Sequence, residues 1–283
     1  MTAATTAPAP RSTRAVGARR SRRRSGSGGR GALLGLAGVL CVLVLLEALP
    51  RLGVVDRRFM PPFSEMFTAL VTRLQTPEFW TALGDTLTTW AIGLTIAMVA
   101  GIVIGIVVGS VRVLREATSS TIEFLRPIPS VALIPLAVLL YGTGREATLL
   151  LVIYASFWQV LVQVLYGVQD VDPVARDTAR SYRFSALTQA RTVIWPTALP
   201  YIVTGFRLAA TVALILTVTG ELIIGTPGLG KLLAVAQSSG ATASMYALVI
   251  VTGLLGVGVN LLARALERRI LRWHPSIRRE KAA

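Results

Sequence analysis

Six long apolar runs constrain this chain more than any other feature. They cover residues 32–49, 86–111, 128–141, 147–168, about 200–224 and 243–266. The first reads ALLGLAGVLCVLVLLEAL, with Glu47 as its one charge. A helix needs roughly 20 apolar residues to cross a bilayer, and a soluble core does not use so many runs of this length. In hydrocarbon a backbone must satisfy its own hydrogen bonds, which the helix does. The expected fold class is therefore all-α: a polytopic membrane protein with about six transmembrane helices. The third run is short. It extends back through residues 121–126, with Pro127, Pro129 and Pro135 expected to kink it. In the second run Gly101, Gly105 and Gly109 recur every fourth residue, a small-residue stripe that lets membrane helices approach closely.

Charge then orders the runs. The net charge is +15, although only 15% of residues are charged and 53% are apolar. Residues 1–31 hold eight Arg and no acid, without any hydrophobic period, and read as a disordered basic tail. A basic stretch before an apolar run also resembles a signal peptide. The run exceeds a usual signal core and no small-x-small cleavage site follows, so it reads as an uncleaved first span. With an inside N-terminus, the segments 1–31, 112–126, 169–191 and 264–283 carry 22 Lys and Arg, against six on the other side. That is the positive-inside pattern, and it puts both termini in the cytoplasm. Residues 61–83 lie outside. Phe63, Met66, Phe67, Leu70, Val71 and Leu74 follow a 3–4 spacing there, the mark of an amphipathic surface helix.

Several chemistries are excluded by count. A single Cys, Cys41, forbids an internal disulfide and a multi-Cys zinc site. The single His, His274, lies in the basic C-terminal tail 273–283 and makes a catalytic triad untenable. No cofactor or metal site is expected. The segment from Gly225 to Lys231 reads GTPGLGK and fits seven positions of a phosphate-binding loop. Leu232 stands where the Mg²⁺-binding hydroxyl belongs, and the segment joins two spans on the outer side. It reads as a glycine-rich turn.

The loop 169–199 carries more information. Asp172 is a good N-cap and Pro173 suits the first helical position. A short helix follows through Arg180, and a second at about 186–194. Mixed charges and small residues suit docking of a soluble partner, with a solvated connector as the plain alternative.

This loop resembles the signature of binding-protein-dependent ABC importer permeases: Glu-Ala-Ala, three residues, Gly, nine residues, Ile-x-Leu-Pro. Asp177, Thr178 and Ala179 stand at the Glu-Ala-Ala positions. Arg183 stands at the Gly, Val193 at the Ile, Trp195 at the Leu and Pro196 at the Pro. The stretch Phe124-Leu125-Arg126-Pro127-Ile128-Pro129, with Ala132-Leu133-Ile134-Pro135-Leu136, resembles the nitrate/sulfonate/taurine-type branch. So do Glu221-Leu222-Ile223 and Gly228-Leu229-Gly230. The resemblance spans about residues 50–275.

It implies a permease domain at 32–272, with a coupling loop at about 169–195 that docks on a cytoplasmic ATPase subunit. It assigns Asp177, Thr178, Ala179, Ser181, Tyr182, Arg183 and Pro196 to that coupling. Arg183 departs from the pattern. The Gly it replaces permits φ > 0, which Arg adopts at a cost, so either the turn differs or Arg183 meets the ATPase directly. The resemblance further implies a permease dimer, an extracytoplasmic solute-binding protein, membrane lipid around the spans, and the bacterial inner membrane as location. The chain is a transport subunit, not an enzyme. For the substrate path the residues offered are Glu221, Gln159 and Gln163, as ionisable or polar groups within spans. The two Gln and Asn260 also fit inter-helix hydrogen bonds, and Arg207 fits a structural pair near the inner face. The solute is expected to be a small anion. Two other classes fit less well. A membrane-embedded enzyme lacks convergent ionisable residues, and a polybasic adaptor would rest on the tail alone. No nucleic acid is expected as a partner.

Overall fold

The structure, a computed structural model, describes residues 27–272. Every regular element among them is helical. The tail beyond residue 272 and residues 1–26 lie outside the described residues. Helix α1 (Ser27–Arg51) begins within the stretch read as a tail and carries the first apolar run. Residues up to Leu46 form one unit and those from Glu47 onward a second.

In the second unit, Glu47 binds the start of α2 (Phe63–Leu74). Its carboxylate accepts from the Ser64 amide (2.9 Å) and hydroxyl (3.0 Å), and pairs with Arg51. A carboxylate is favoured at a helix N-terminus, where amides are free and the dipole is positive. The sequence predicts an amphipathic helix over 61–83, whereas α2 stops at Leu74. Pro77 is the reason. The residue before a proline is pushed out of the helical region. Thr76 accordingly has φ −92° and ψ 134°, and Pro77 opens α3 (Pro77–Ser110).

Helix α3 packs along α6 (Arg145–Gln169) through the glycine stripe. A Cβ on Gly101, Gly105 or Gly109 would come within 2.8, 2.7 and 2.9 Å of Val160, Val164 and Val168 respectively. Residue numbers rise together along this seam, so α3 and α6 run parallel. The chain between them must therefore cross back. It does so as α4 (Arg112–Leu125), a 3₁₀ turn (Ser130–Leu133) and α5 (Ile134–Tyr141), bent by 83° at the break. Pro127 and Pro129 make that break. Pro135 does not kink the helix as expected. It sits in the first turn of α5, where a missing N–H costs nothing. At eight residues α5 reaches only ~12 Å, so it cannot span alone. Five helices are long and apolar enough to cross a membrane, six when the bent pair is counted as one broken span.

Beyond α6 come α7 (Pro173–Ser181) and α8 (Ala186–Gln189). A π turn (Ala190–Ile194) joins α8 to α9 (Trp195–Ile224). The expected second loop helix is thus the foot of the fifth span. Pro196 has no N–H to return to the preceding turn, and the helix widens beside it. Helix α9 runs antiparallel to α6: Gly220 meets Thr148, Gly205 meets Gln163, and Gly167 meets Tyr201. The main core lies where α3, α6 and α9 meet, around Leu151, Val160, Val164, Ala209, Ala210 and Ala213. A short α10 (Leu229–Ser238) packs its Leu229, Leu232 and Ala236 against Phe79 and Leu248. The last span, α11 (Thr242–Ile270), pairs with α9, where Arg207 lies 3.7 Å from Glu267. Arg207 thus has the structural partner expected of it.

Candidate functional site

One end of the bundle carries the loop between α6 and α9. Asp172 caps α7, its side chain accepting from the Val174 amide at 2.8 Å. The helix ends in a double closure. The Phe184 amide donates to the Ala179 carbonyl (3.0 Å) and the Arg183 amide to that of Arg180 (2.8 Å). This is the Schellman arrangement, which requires a left-handed residue at the position of Arg183. Arg183 has φ +54° and is the only non-glycine residue with positive φ among the described residues. The turn is therefore the one a Gly would make, with Arg in its place.

The same short helix turns two faces. Asp177, Thr178, Ser181, Tyr182 and Arg183 are exposed, Tyr182 to 75%. Pro196 is exposed at the foot of α9. Ala179 is not: it is 4% exposed and faces the bundle. The Phe184 amide of the turn after α7 closes on its carbonyl. Arg180 pairs weakly with Asp177 at 3.5 Å in open solvent. Val174, Phe184 and Leu187 add exposed apolar surface to the loop.

The sequence reading missed what fastens this helix. Arg176 reaches back and donates from Nη2 to the Val168 carbonyl near the end of α6. Its Nε is buried without a partner. Burial, together with the nearby Arg180 and Arg115, pulls its guanidinium below the usual arginine range. Arg115 does the same for α3, donating to the Gly109 carbonyl at 3.3 Å. Tyr201 on α9 donates to Asp170 at the end of α6 (3.0 Å). A basic residue one to two turns beyond a helix C-terminus is a sequence signal for such capping.

At the opposite end lies the buried polar group around Glu221, which is 0% exposed. Its Oε2 accepts from the Thr86 hydroxyl (2.9 Å) and the Gly230 amide (3.0 Å). Thr86 in turn accepts from the Leu229 amide at 2.9 Å. Oε1 is buried with no partner. The phosphate-loop lookalike thus holds a carboxylate of its own chain at the start of α10. A Cβ on Gly228 would collide with that carboxyl, which explains the Gly at φ 151°. Glu221 is sealed between α3, α9 and α10 within this chain. Gln159 and Gln163 are half-buried on α6, with Gln163 against Gly205. The structure does not bring them together with Glu221, since that carboxyl lies at the far end of the antiparallel pair. Among the described residues no three His, Cys, Asp or Glu cluster as metal ligands.

Comparison with known proteins agrees with this architecture. The chain is 32% identical over 231 residues to the taurine transport system permease protein TauC of Escherichia coli, covering 80% of this chain and 84% of that protein. It is 26% identical to the aliphatic sulfonates transport permease protein SsuC of Bacillus subtilis, described there as putative, with coverages of 83% and 85%. It is also 26% identical to the nitrate import permease protein NrtB of Leptolyngbya laminosa, with coverages of 68% and 69%. Among solved structures it superposes on a chain of the inward-facing MetNI methionine ABC transporter with a TM-score of 0.60. The identity is 18%, over 69% of this chain and 99% of that one. A chain of a bacterial ABC transporter that imports the polysaccharide alginate gives the same TM-score. The identity is 17%, over 86% and 97%. At those identities the superpositions speak for the fold. The family model for the binding-protein-dependent transport system inner membrane component matches residues 97–272. That match takes in every passage from the second half of α3 to the end of α11, and with it the capped loop helix and the sealed α9–α10 turn. The chain belongs to the family of binding-protein-dependent transport system inner membrane components: a membrane transport subunit, whose ATP hydrolysis lies in a separate ATPase.

Proposed function

We propose that this permease forms, with a second copy, the path for a small anionic solute. An external binding protein delivers the solute, and the ATPase docks on the exposed face of α7. One observation carries the reading. A nine-residue helix, fixed at both ends, presents Asp177, Thr178, Ser181, Tyr182 and Arg183 to solvent beside the ends of α6 and α9. The basic excess at that end supports placing it, with both termini, in the cytoplasm. The taurine, sulfonate and nitrate permeases among its relatives support a small anion as cargo. Gln159 and Gln163 remain the polar side chains on α6 proposed to face it. ATP binding would draw the α7 helices of the two copies together and shift the spans between two packings.

Asp177→Arg tests the docking. The variant should reach the membrane yet purify without ATPase subunits. Normal assembly of Asp177→Arg with the ATPase would overturn the assignment. Uptake of labelled taurine, ethanesulfonate, nitrate and bicarbonate by cells expressing the complete transporter identifies the anion.

A further inference from the structure

The outer face of α7 is where a partner would push. How that push reaches the spans depends on the inner face. Three contacts in sequence link that face to the seam between α3 and α6. Arg176 donates to the Val168 carbonyl from a partly buried position. Val168, itself 0% exposed, sits against Gly109 of α3 with no room for a single extra carbon. Arg115, on α4, holds the Gly109 carbonyl. A continuous line thus runs from α7 through Arg176 to the α3–α6 seam. Apart from this line, α7 touches the π turn at the foot of α9. Its buried residue is Ala179, which is too small to transmit much force, and its other side chains face water.

Arg176 is also held in an unfavourable way. Its Nε has no partner and its neighbours Arg180 and Arg115 are like charges. No ion pair with an acid offsets this among the described residues. A packing role alone would be met by Leu or Met at the same position without that cost. What Arg adds is a directional bond between the loop helix and a span.

We propose that Arg176 is a positioning residue. It bolts α7 to the end of α6, so that displacement of α7 moves α3 and α6 as one body instead of being absorbed in the loop. The proposal rests on the docking role of α7, but the two fail separately. Asp177→Arg removes the ATPase, whereas a variant at Arg176 should retain it.

The experiment uses the full chain with Cys41→Ser and spin labels at Val174→Cys on α7 and Ser110→Cys at the end of α3. Distances are measured by pulsed EPR in lipid nanodiscs. With Arg176 present the distribution should be narrow. It should also stay unchanged when the assembled ATPase is trapped with ATP and vanadate, because both labels ride on one body. In Arg176→Met the distribution should broaden, and it should shift on trapping while the ATPase still co-purifies. Arg176→Lys should restore part of the narrowing. Failure of Arg176→Met to broaden the distribution, or to separate the two labels on trapping, would overturn the proposal. If Arg176→Met reaches the membrane misfolded, Arg176→Gln carries the same test. A wild-type distribution there would likewise refute it.

Discussion

At the scale of single residues, Arg183 is the most exposed cost in the chain. A left-handed L-residue carries about 1–2 kcal/mol of strain, and glycine recovers this less roughly 0.4–1 kcal/mol of extra freedom in the unfolded chain. Arg183→Gly should therefore stabilise the loop by about 0.5–1 kcal/mol, read as slower amide exchange at Phe184. Faster exchange would show that the Arg side chain contributes more than the turn does. Asp172→Ala should act in the other direction. Losing an N-cap costs about 1 kcal/mol, so exchange at Val174 should speed roughly five-fold. Glu221 makes the sharper case. Glu221→Gln keeps an oxygen for the Thr86 hydroxyl and the Gly230 amide, whereas Glu221→Ala strands both donors in a sealed site. Unpaired buried donors cost about 1–3 kcal/mol each. Thermal unfolding in detergent should leave the Gln variant near wild type and lower the Ala variant by several degrees. Equal losses in both would mean that the charge, and not the acceptor, matters there.

At the scale of elements, legibility followed locality. The α7 helix was readable because its start depends on Asp172 and Pro173, and its end on a residue at a known offset. Whether Arg183 would take the left-handed turn was not readable, since the resemblance allowed either outcome. The two faces of α7 were hidden as well. Ala179 is buried while its neighbours on α7 are exposed, and four-residue spacing does not reveal which stripe will be covered. The partners of Glu221 are hidden for a related reason. An ionisable residue near a span end is a fair functional candidate, but its partners, Thr86 and Gly230, come from segments 135 and nine residues away. The glycine stripe, by contrast, was legible from its period, and the structure supplied the other half: valines on α6 in step with it. Gly105→Ala would push a methyl to 2.7 Å from Val164. Overpacking of this kind costs about 1–3 kcal/mol, so the variant should unfold at a clearly lower temperature. Gly253→Ala, with open space around it, should not.

At the scale of the whole molecule, apolar runs alone left the count of passages short of certain, because α4 and α5 do not form one straight helix. Direction favours six. Parallel α3 and α6 require a return between them, and the bent pair is the only chain available. The orientation expected for the bundle rests on charge, to which the 169–191 loop contributes four Arg. Three of them have work beyond orientation or sit where it is expected: Arg176 on Val168, Arg180 beside Asp177, and Arg183 in the turn.

The valines set into the glycine stripe also limit how the molecule can rearrange. Teeth that repeat every fourth residue stand about 6 Å apart along a helix. A smaller slip of α3 along α6 would drive valine methyls into bare backbone between the notches. The pair is a ratchet with coarse steps, locked against gradual sliding. Whatever opens and closes in this protein must swing at smoother contacts, such as the bend between α4 and α5 or the widened turn at the foot of α9.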